Sequence, residues 1–207
     1  MEGYEIKRIT RKECKGLLER FHYIHKAGGN FRSGINYGLF KENVLIGVSI
    51  FHTNSAKGIV KGCFGIESYK LDGFYELGRL AVDPEYSIKN LTSWFLGGAI
   101  RIFRKERNVS VMLTYADSDL HTGYIYQALN FKYYGLTAPK KDFFEFLSDG
   151  TERKVQRGKV KHLNGEWRDK SQKHRYMIIY DKNLKTRWTE LPYPKLVQKA
   201  PFNFVSA

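Results

Sequence analysis

The sequence predicts one α/β domain, built as a mixed β-sheet flanked by helices. Three observations favour this class. Strand-like and helical segments alternate along most of the chain. An amphipathic helical pattern over 90–106 separates two apolar strand patterns, 74–82 and 109–115, which predicts a parallel pair with a right-handed crossover. Residues 37–40 and 44–51 form a hairpin pattern, so the same sheet should also contain antiparallel strands.

The N-terminal third contains a strand, a helix and the hairpin. Residues 4–10 alternate apolar and polar side chains, as a half-buried strand does. Thr10 with Glu13 three residues later has the spacing of a capping box, which predicts that a helix begins there. Residues 41–43 connect the two hairpin strands. From the hairpin to Gly73 we expect a polar, glycine-containing connection.

The middle and C-terminal parts contain the remaining elements. The strand over 74–82 should end at Asp83-Pro84. The nearly continuous apolar run over 109–115 is typical of a buried central strand. Three further elements are predicted: a helix over 124–129 and strands over 131–134 and 175–180.

Composition narrows the class of protein. The 207 residues fit one domain, and 42% hydrophobic with 15% aromatic residues can form a core, which excludes wholesale disorder. A mean hydropathy of -0.47 and the lack of a long apolar run predict that no helix spans a membrane. The N-terminus does not resemble a secretory signal. Cys14 and Cys63 are too few for a disulfide framework, so both are expected to be buried thiols in a soluble, intracellular protein.

The net charge of +14 predicts a polyanionic partner. Residues 151–207 carry 14 Lys and Arg but only 5 Asp and Glu, so most of the excess lies near the C-terminus. We therefore expect a core over 1–150 and a basic extension over 151–207 that packs on the same domain. Nucleic acid is the favoured partner and an anionic membrane surface the second choice, while a solvated basic face is the structural alternative.

The segment 80–86, followed by a polar loop and a helix, has the form of an anion-binding strand end. It resembles the central motif of the GNAT acetyltransferase fold, which leads into a loop that grips coenzyme A. Residues 125–135 are similar to the next motif of that family. The resemblance implies a GNAT-like mixed sheet flanked by helices. The loop lacks the usual glycines, since its pattern falls on Ser87, Asn90 and Thr92, so the binding of acetyl-CoA is left open.

A narrower resemblance links the chain to the phage Mom DNA-modification family, which are diverged GNAT-like enzymes. The matching segments are His22-Tyr23 and residues 76–80, 90–95, 115–117 and 121–130. The resemblance covers roughly residues 20 to 138. It implies an enzyme of the host cytoplasm that converts adenine in double-stranded DNA to its N6-carbamoylmethyl (acetamido) form, shielding phage DNA from host restriction.

Two groups of site residues follow from the resemblance and from the chemistry of the side chains. The expected catalytic residues are His22, Tyr23, Asp117 and Tyr124, and the expected cofactor-binding residues are Arg79, Asn90, Ser93 and Tyr126. A carboxylate after a buried strand suits a general base, and an arginine within an apolar strand calls for an anionic partner. The structural alternatives are a salt bridge for Arg79, helix caps for Asn90, Ser93 and Asp117, and a helix-dipole contact for His22.

The expected cofactor is acetyl-CoA or a related activated donor. Iron or zinc bound through His22 and His25 is a weaker alternative, and no set of metal ligands is assigned. Double-stranded DNA is the expected partner, with no membrane contact and an oligomeric state left open, a dimer included. Its binding is assigned to the densest basic run, Arg153, Lys154, Arg157, Lys159 and Lys161. Since adenine N6 is stacked inside the duplex, the base must be rotated out, with Tyr23, Tyr115 and Tyr124 as candidates for stacking.

Two other functions are weighed against this one. The first is a CoA-dependent GNAT N-acetyltransferase acting on a protein or a small-molecule amine. The second is a DNA-binding protein without enzymatic activity. The missing loop glycines and the basic C-terminal segment disfavour the first, and loss of modification without loss of DNA affinity on substitution of Arg79 and Asp117 would exclude the second.

Overall fold

The computed structural model describes residues 1–22, 31–53 and 57–195, without the side chains of Lys57, Ser68 and Arg157. The helices in these ranges are α1 (Arg11–Phe21), α2 (Lys57–Phe64), α3 (Leu91–Glu106) and α4 (Tyr124–Ala128). The strands are β1 (Tyr4–Arg8), β2 (Ile35–Lys41), β3 (Val44–Thr53), β4 (Phe74–Val82), β5 (Val111–Asp117), β6 (Lys132–Leu136), β7 (Lys140–Phe146), β8 (Glu152–Val155), β9 (Gly165–Lys170) and β10 (Lys173–Ile179).

Seven strands form one sheet in the order β1-β2-β3-β4-β5-β10-β6. Only β4 and β5 are parallel neighbours among its described strands. The helix α3 connects these two strands, as the crossover pattern predicts. The predicted mixed α/β class is therefore confirmed, and it follows from burying both faces of the sheet.

Helices cover both faces of the large sheet. On one face α3 and α4 bury the main core cluster, in which Phe103 stacks on Phe51 with ring centroids 4.7 Å apart. On the other face α1 packs through Cys14, Leu17 and Leu18, and α2 packs through residues that include Cys63. Both cysteines are free and buried, as predicted. The β-strands therefore have apolar side chains on both sides, which explains the continuous apolar run of β5.

Local signals explain where the first elements begin and turn. Thr10 caps α1, because its hydroxyl accepts from the Glu13 N–H while the Glu13 carboxylate accepts from the Thr10 N–H, and the predicted capping box is confirmed. The β2–β3 hairpin turns at Glu42 and Asn43, with φ of 49° and 67°. Two consecutive positive φ values are what a type I′ turn requires, and they suit the twist of the paired strands.

Two elements differ from the sequence expectation. The connection before Gly73, expected to be a polar loop, contains α2, because Ile59, Val60, Cys63 and Phe64 form a short apolar face that the neighbouring glycines obscure. The segment after β6 forms a second sheet, β8-β7-β9, which we call the small sheet. The expected boundary at residue 150 falls in its β7–β8 turn, and β10 returns from it into the large sheet.

Within the described residues, none of the helices has both the length and the apolar character of a transmembrane segment.

Gly73 aligns β4 with β5, and we expect its replacement by alanine to lower stability. Its carbonyl accepts from the N–H groups of Ser110 and Val111, its φ is 73°, and a Cβ there would lie 2.7 Å from the Ser110 nitrogen. Gly73→Ala should therefore reduce the free energy of unfolding by about 1–3 kcal/mol.

Urea denaturation measures this change. Gly62→Ala, on the open side of α2 where nothing lies within 4 Å, is the matched control and should raise stability by up to about 1 kcal/mol. Equal stability of Gly73→Ala and the wild type would contradict the proposed alignment.

Candidate functional site

An opening between β4 and β5 is the central feature of the site. The parallel pairing runs from Phe74 with Val111 to Leu77 with Thr114 and then stops, although both strands continue. The pairing of β4 with β3 skips Gly78, which is a bulge that turns β4 away from β5. The Thr114 hydroxyl donates to the Leu77 carbonyl at 3.1 Å and closes the paired part. The opening thus lies toward the C-terminal ends of parallel strands, where α/β proteins usually bind ligands.

Arg79 lies at this opening, directly after the bulge. Its guanidinium donates to the Gly78 carbonyl at 2.5 Å. Burial lowers the pKa of His52, and the positive charge of Arg79 adds a smaller contribution in the same direction. The same charge opposes the burial that raises the pKa of Tyr126. Tyr126 belongs to the core cluster on the α3 side of the sheet, so the electrostatic effect of Arg79 on Tyr126 acts across the sheet. The predicted role of Arg79 in binding an anionic group stays a prediction, and this position suits it.

Glu76 is a site residue that the sequence reasoning missed. Burial raises the pKa of its carboxyl above the ordinary value, and the charges of Arg79 and Arg32 oppose that shift. The hydroxyl of Tyr115 on β5 is close enough for Glu76 to help raise its pKa, although burial is the larger cause. A half-buried carboxyl with a raised pKa beside an opening is well suited to accept a proton at neutral pH.

One signal in the sequence could have identified Glu76. A glutamate inside an otherwise apolar strand is as costly to bury as an arginine, and Arg79 follows three residues later. Alternation places the side chains of Glu76 and Leu77 on opposite faces of the sheet. The bulge at Gly78 then places Arg79 on the same face as Glu76. The bulge itself has no reliable signature beyond the glycine, so the meeting of the two charges was not predictable.

The loop before α3 contains the residues predicted to bind the cofactor. Asn90 has φ 66°, in the left-handed region that glycine usually supplies, so the turn forms without the missing glycine. Its side chain makes no cap hydrogen bond, and the Ser93 hydroxyl donates to the Asn90 carbonyl at 3.0 Å. The capping role weighed for the Asn90 side chain is therefore wrong. The exposed amide and the N-terminus of α3 are available to an anionic ligand.

The two tyrosines of α4 lie in different environments. Tyr124 is 59% exposed, whereas Tyr126 is buried against the rings of Phe131 and Tyr176. Burial raises the pKa of Tyr126, so its hydroxyl is a hydrogen-bond donor at neutral pH. Tyr126 is held rigidly, and Tyr124 is free to contact a bound molecule. Their predicted roles, in cofactor binding and in catalysis, stay predictions.

Asp117 ends β5 as a fully engaged carboxylate. Its oxygens accept hydrogen bonds from the Lys173 ammonium, from the Ser171 hydroxyl at 2.9 Å and from the Asp119 N–H at 3.1 Å. Burial opposes ionisation, yet these hydrogen bonds lower the pKa of Asp117. A carboxylate of low basicity with three donors suits positioning better than proton abstraction. The alternative of a helix cap is wrong, because α4 begins only at Tyr124 and its cap is Gly123.

The other predicted residues are only partly described. His22 is buried at the C-terminal end of α1, and its N–H donates to the Leu18 carbonyl at 3.0 Å. Tyr23 and His25 lie outside the described residues. In the part of the chain that the structure describes, no group of three His, Cys, Asp or Glu side chains is placed to hold a metal ion. Iron is therefore not supported by these residues.

The residues predicted to bind DNA lie on the small sheet and the loop after it. Arg153 pairs with Glu145 at 2.5 Å, and Lys154 pairs with Asp142, so both cations are partly neutralised within the sheet. Lys159 and Lys161 are exposed. The side chain of Arg157 lies outside the described residues.

Comparison with known proteins agrees with this architecture. A model of the Mom protein family matches residues 3–195. The ribosomal-protein-S18-alanine N-acetyltransferase from Escherichia coli is 12% identical with a TM-score of 0.50, over 85% of this chain and 93% of that one. The IAA acetyltransferase from Bacillus cereus ATCC 14579 is 15% identical with a TM-score of 0.50, over 85% and 99%. The predicted GNAT-like fold is thereby confirmed. A search of curated proteins gave no match.

The raised pKa of Glu76 has a consequence for stability. The folded state holds this proton more tightly than the unfolded state, so deprotonation penalises folding as the pH rises from about 4.5 toward the raised pKa. Relative to Glu76→Gln, the wild type should lose stability between acidic and neutral pH. Urea denaturation of both proteins at several pH values measures this, and a difference that does not change with pH would contradict it.

The contacts of Asp117 predict a structural cost on its removal. Asp117→Asn leaves the partly buried Lys173 ammonium without its counter-charge and should lower the free energy of unfolding by about 1–3 kcal/mol. Glu67→Gln, which breaks the exposed pair with Lys61, is the control and should change it by less than about 1 kcal/mol. Thermal melts compare the two, and equal effects would exclude a positioning role for Asp117.

Proposed function

The chain belongs to the Mom protein family, and from this premise we propose that it is a transferase that attaches a carbamoylmethyl group to N6 of adenine in double-stranded DNA. The observation that carries the proposal is the opening between β4 and β5, with Glu76 and Arg79 on its rim. The guanidinium of Arg79 suits an anionic group of a substrate or donor, and the carboxyl suits the chemistry of an amine.

The proposed step needs one proton acceptor and one activated donor. Adenine N6 forms a bond to the methylene carbon of the carbamoylmethyl group and loses a proton. The bond from that carbon to the rest of the donor breaks, and the leaving group departs with the electron pair. The lone pair of N6 is delocalised into the ring, so the amine is a weak nucleophile and proton removal must accompany attack. Glu76 is the proposed acceptor, because burial raises the pKa of its carboxyl and makes the carboxylate a stronger base. Arg79 is proposed to hold the negative charge of the donor.

The residues of the loop before α3 fit a coenzyme A-type donor. Asn90 supplies the left-handed turn, and the helix N-terminus of α3 supplies a favourable dipole for a pyrophosphate. Beyond Leu77 and Thr114, β4 and β5 do not pair with each other. Their facing backbone groups could form hydrogen bonds with the amide groups of an extended ligand. Such a donor, when bound, supplies an activated carbon for transfer. A plain acetyl group lacks the amide of the proposed product, so a related donor is required.

Asp117 is proposed to position the wall of the site rather than to react. Through Lys173 and Ser171 it fixes the start of β10 against the end of β5. This arrangement orders the chain that returns from the small sheet. We also propose that the partner of this protein is double-stranded DNA. The protein would act in the host cytoplasm and protect phage DNA from restriction.

Nucleoside analysis tests this function directly. The chain is expressed in bacteria, the cellular DNA is digested, and the deoxyadenosines are weighed. We expect a fraction in which one carbamoylmethyl group replaces one hydrogen. Glu76→Gln should lower that fraction by about 100-fold or more, because a general base contributes about that factor. Glu67→Gln, an exposed carboxylate that pairs with Lys61, should leave it unchanged.

Two results would overturn the proposal. Ordinary deoxyadenosine throughout, from soluble folded wild-type protein, would exclude DNA-adenine modification. A mass increase equal to an acetyl group would keep a transferase and discard the carbamoylmethyl product. Equal yields from Glu76→Gln and the wild type would remove Glu76 as the proton acceptor.

A further inference from the structure

A cavity of about 360 Å³ lies where the large sheet meets the small sheet. Its volume is within the range of about 300–1,000 Å³ that is usual for ligand pockets. Planar and cationic side chains from both sheets line it, together with small polar residues. The planar and cationic side chains include Tyr115, Lys140, Lys170, Lys173, Arg175 and Trp188.

Planar groups form one side of the cavity. The guanidinium of Arg175 lies over the indole ring of Trp188, 4.5 Å from its centroid, and the ring of Tyr134 packs against the same indole at 6.0 Å. Tyr115 pairs with Arg175 across β5 and β10. Nucleic acid bases stack on aromatic rings and on arginine planes in this way. The packing holds these groups in place before any ligand binds.

Arg175 also has an unused hydrogen-bond donor. Its Nη2 donates to the carbonyls of Tyr134 and Leu136, at 2.8 and 3.1 Å. Its Nε is buried and has no hydrogen-bond partner. A buried N–H without an acceptor is costly, so an acceptor atom on a bound molecule would satisfy it.

Cations form the outer rim. Lys140 and Lys170 are register partners on β7 and β9, and both side chains are exposed. The two lysines also line a second, neighbouring cavity of about 610 Å³, which extends across the small sheet to Lys154. Asp142 also lines this second cavity and pairs with Lys154 and, at 3.6 Å, with Lys170. Three lysines against one aspartate leave the groove with a net positive charge, which can follow a phosphate backbone.

Tyr115 links the cavity to the strand pair that carries the proposed proton acceptor. The charges of Glu76 and Arg175 act on Tyr115 in opposite directions, so the Tyr115 hydroxyl lies within electrostatic reach of both. Tyr115 lines the cavity from β5, and Glu76 lies on the neighbouring strand β4, in register with Leu113. Asp117 holds Lys173 at the other wall.

We propose that this cavity receives one nucleotide of the DNA substrate, rotated out of the duplex, with its base beside Trp188 and Tyr115 and its phosphates at Lys140 and Lys170. The proposal rests on the proposed function, because that function requires adenine N6 to leave the base stack. It adds the place where the base is held and the side chains that hold it.

The test uses 2-aminopurine deoxyribonucleoside 5′-monophosphate, a fluorescent isomer of the adenine nucleotide that is quenched by stacking. Titration of the purified full chain should quench the probe. Trp188→Ala should weaken binding about 10-fold or more, since stacking on an aromatic ring contributes about that factor per base. Trp188→Phe, which keeps an aromatic plane, should restore most of the affinity.

A second pair of variants tests the phosphate contacts. Lys140→Gln with Lys170→Gln should weaken the binding of the monophosphate and reduce its salt dependence, while the binding of the uncharged 2-aminopurine deoxyribonucleoside stays unchanged. Lys12→Gln with Lys105→Gln, two exposed lysines outside the cavity, is the charge-matched control. Thermal melts of all variants confirm that each is folded.

The outcomes separate the two proposals. Absence of quenching by the wild type, or equal affinity of folded Trp188→Ala and Trp188→Phe, overturns the nucleotide site. Binding that depends on Trp188 and the lysines supports the site, even if cellular DNA contains only ordinary deoxyadenosine, in which case the proposed function alone fails. Modified adenine produced equally by the wild type and by Trp188→Ala keeps the function and overturns the site.

Discussion

The short parallel contact between β4 and β5 is the constraint on which the site depends. Only the register pairs from Phe74 with Val111 to Leu77 with Thr114 join the two strands. The bulge at Gly78 turns β4 away, while β5 stays bonded to β10 as far as Asp117. The sheet therefore opens at one place without losing an edge strand, because each side of the opening is supported by antiparallel neighbours. A sheet paired along its full length would leave no room there for a ligand.

The two carboxylates beside this opening have opposite pKa shifts. Burial raises the pKa of Glu76, whereas hydrogen bonds from Lys173 and Ser171 overcome burial and lower the pKa of Asp117. Neighbouring acids whose environments separate their pKa values usually have different roles. These opposite shifts agree with the proposed roles, in which Asp117 positions the chain and Glu76 accepts the proton. The cost of burying Glu76 falls on stability, as is common where activity and stability compete.

Much of the fold was predictable because its signals are local. The capping box at Thr10, the hairpin turn and the apolar run of β5 depend on neighbours in the sequence, and each is observed. The small sheet was not predictable, since its strands are polar and exposed on most positions and are identified only by their pairing. Arg79 was identified from its apolar context, but its proximity to Glu76 depends on a bulge. The contacts of Asp117 come from Lys173 and Ser171, more than fifty residues away, and no local pattern indicates them.

The distribution of positive charge in the fold differs from its distribution along the chain. Counting along the chain assigns the positive excess to residues after 150, as though a basic tail followed a nearly neutral core. In the fold, Arg153 and Lys154 are partly neutralised by Glu145 and Asp142, which precede that boundary. Lys140 also precedes it, yet it pairs in register with Lys170 and lines the cavity that contains Tyr115. The cations that line this cavity therefore come from both sides of the boundary. β10 carries the chain from the small sheet into the large one. The proposed contacts with the DNA backbone and with the reacting base would therefore be made by one continuous structure.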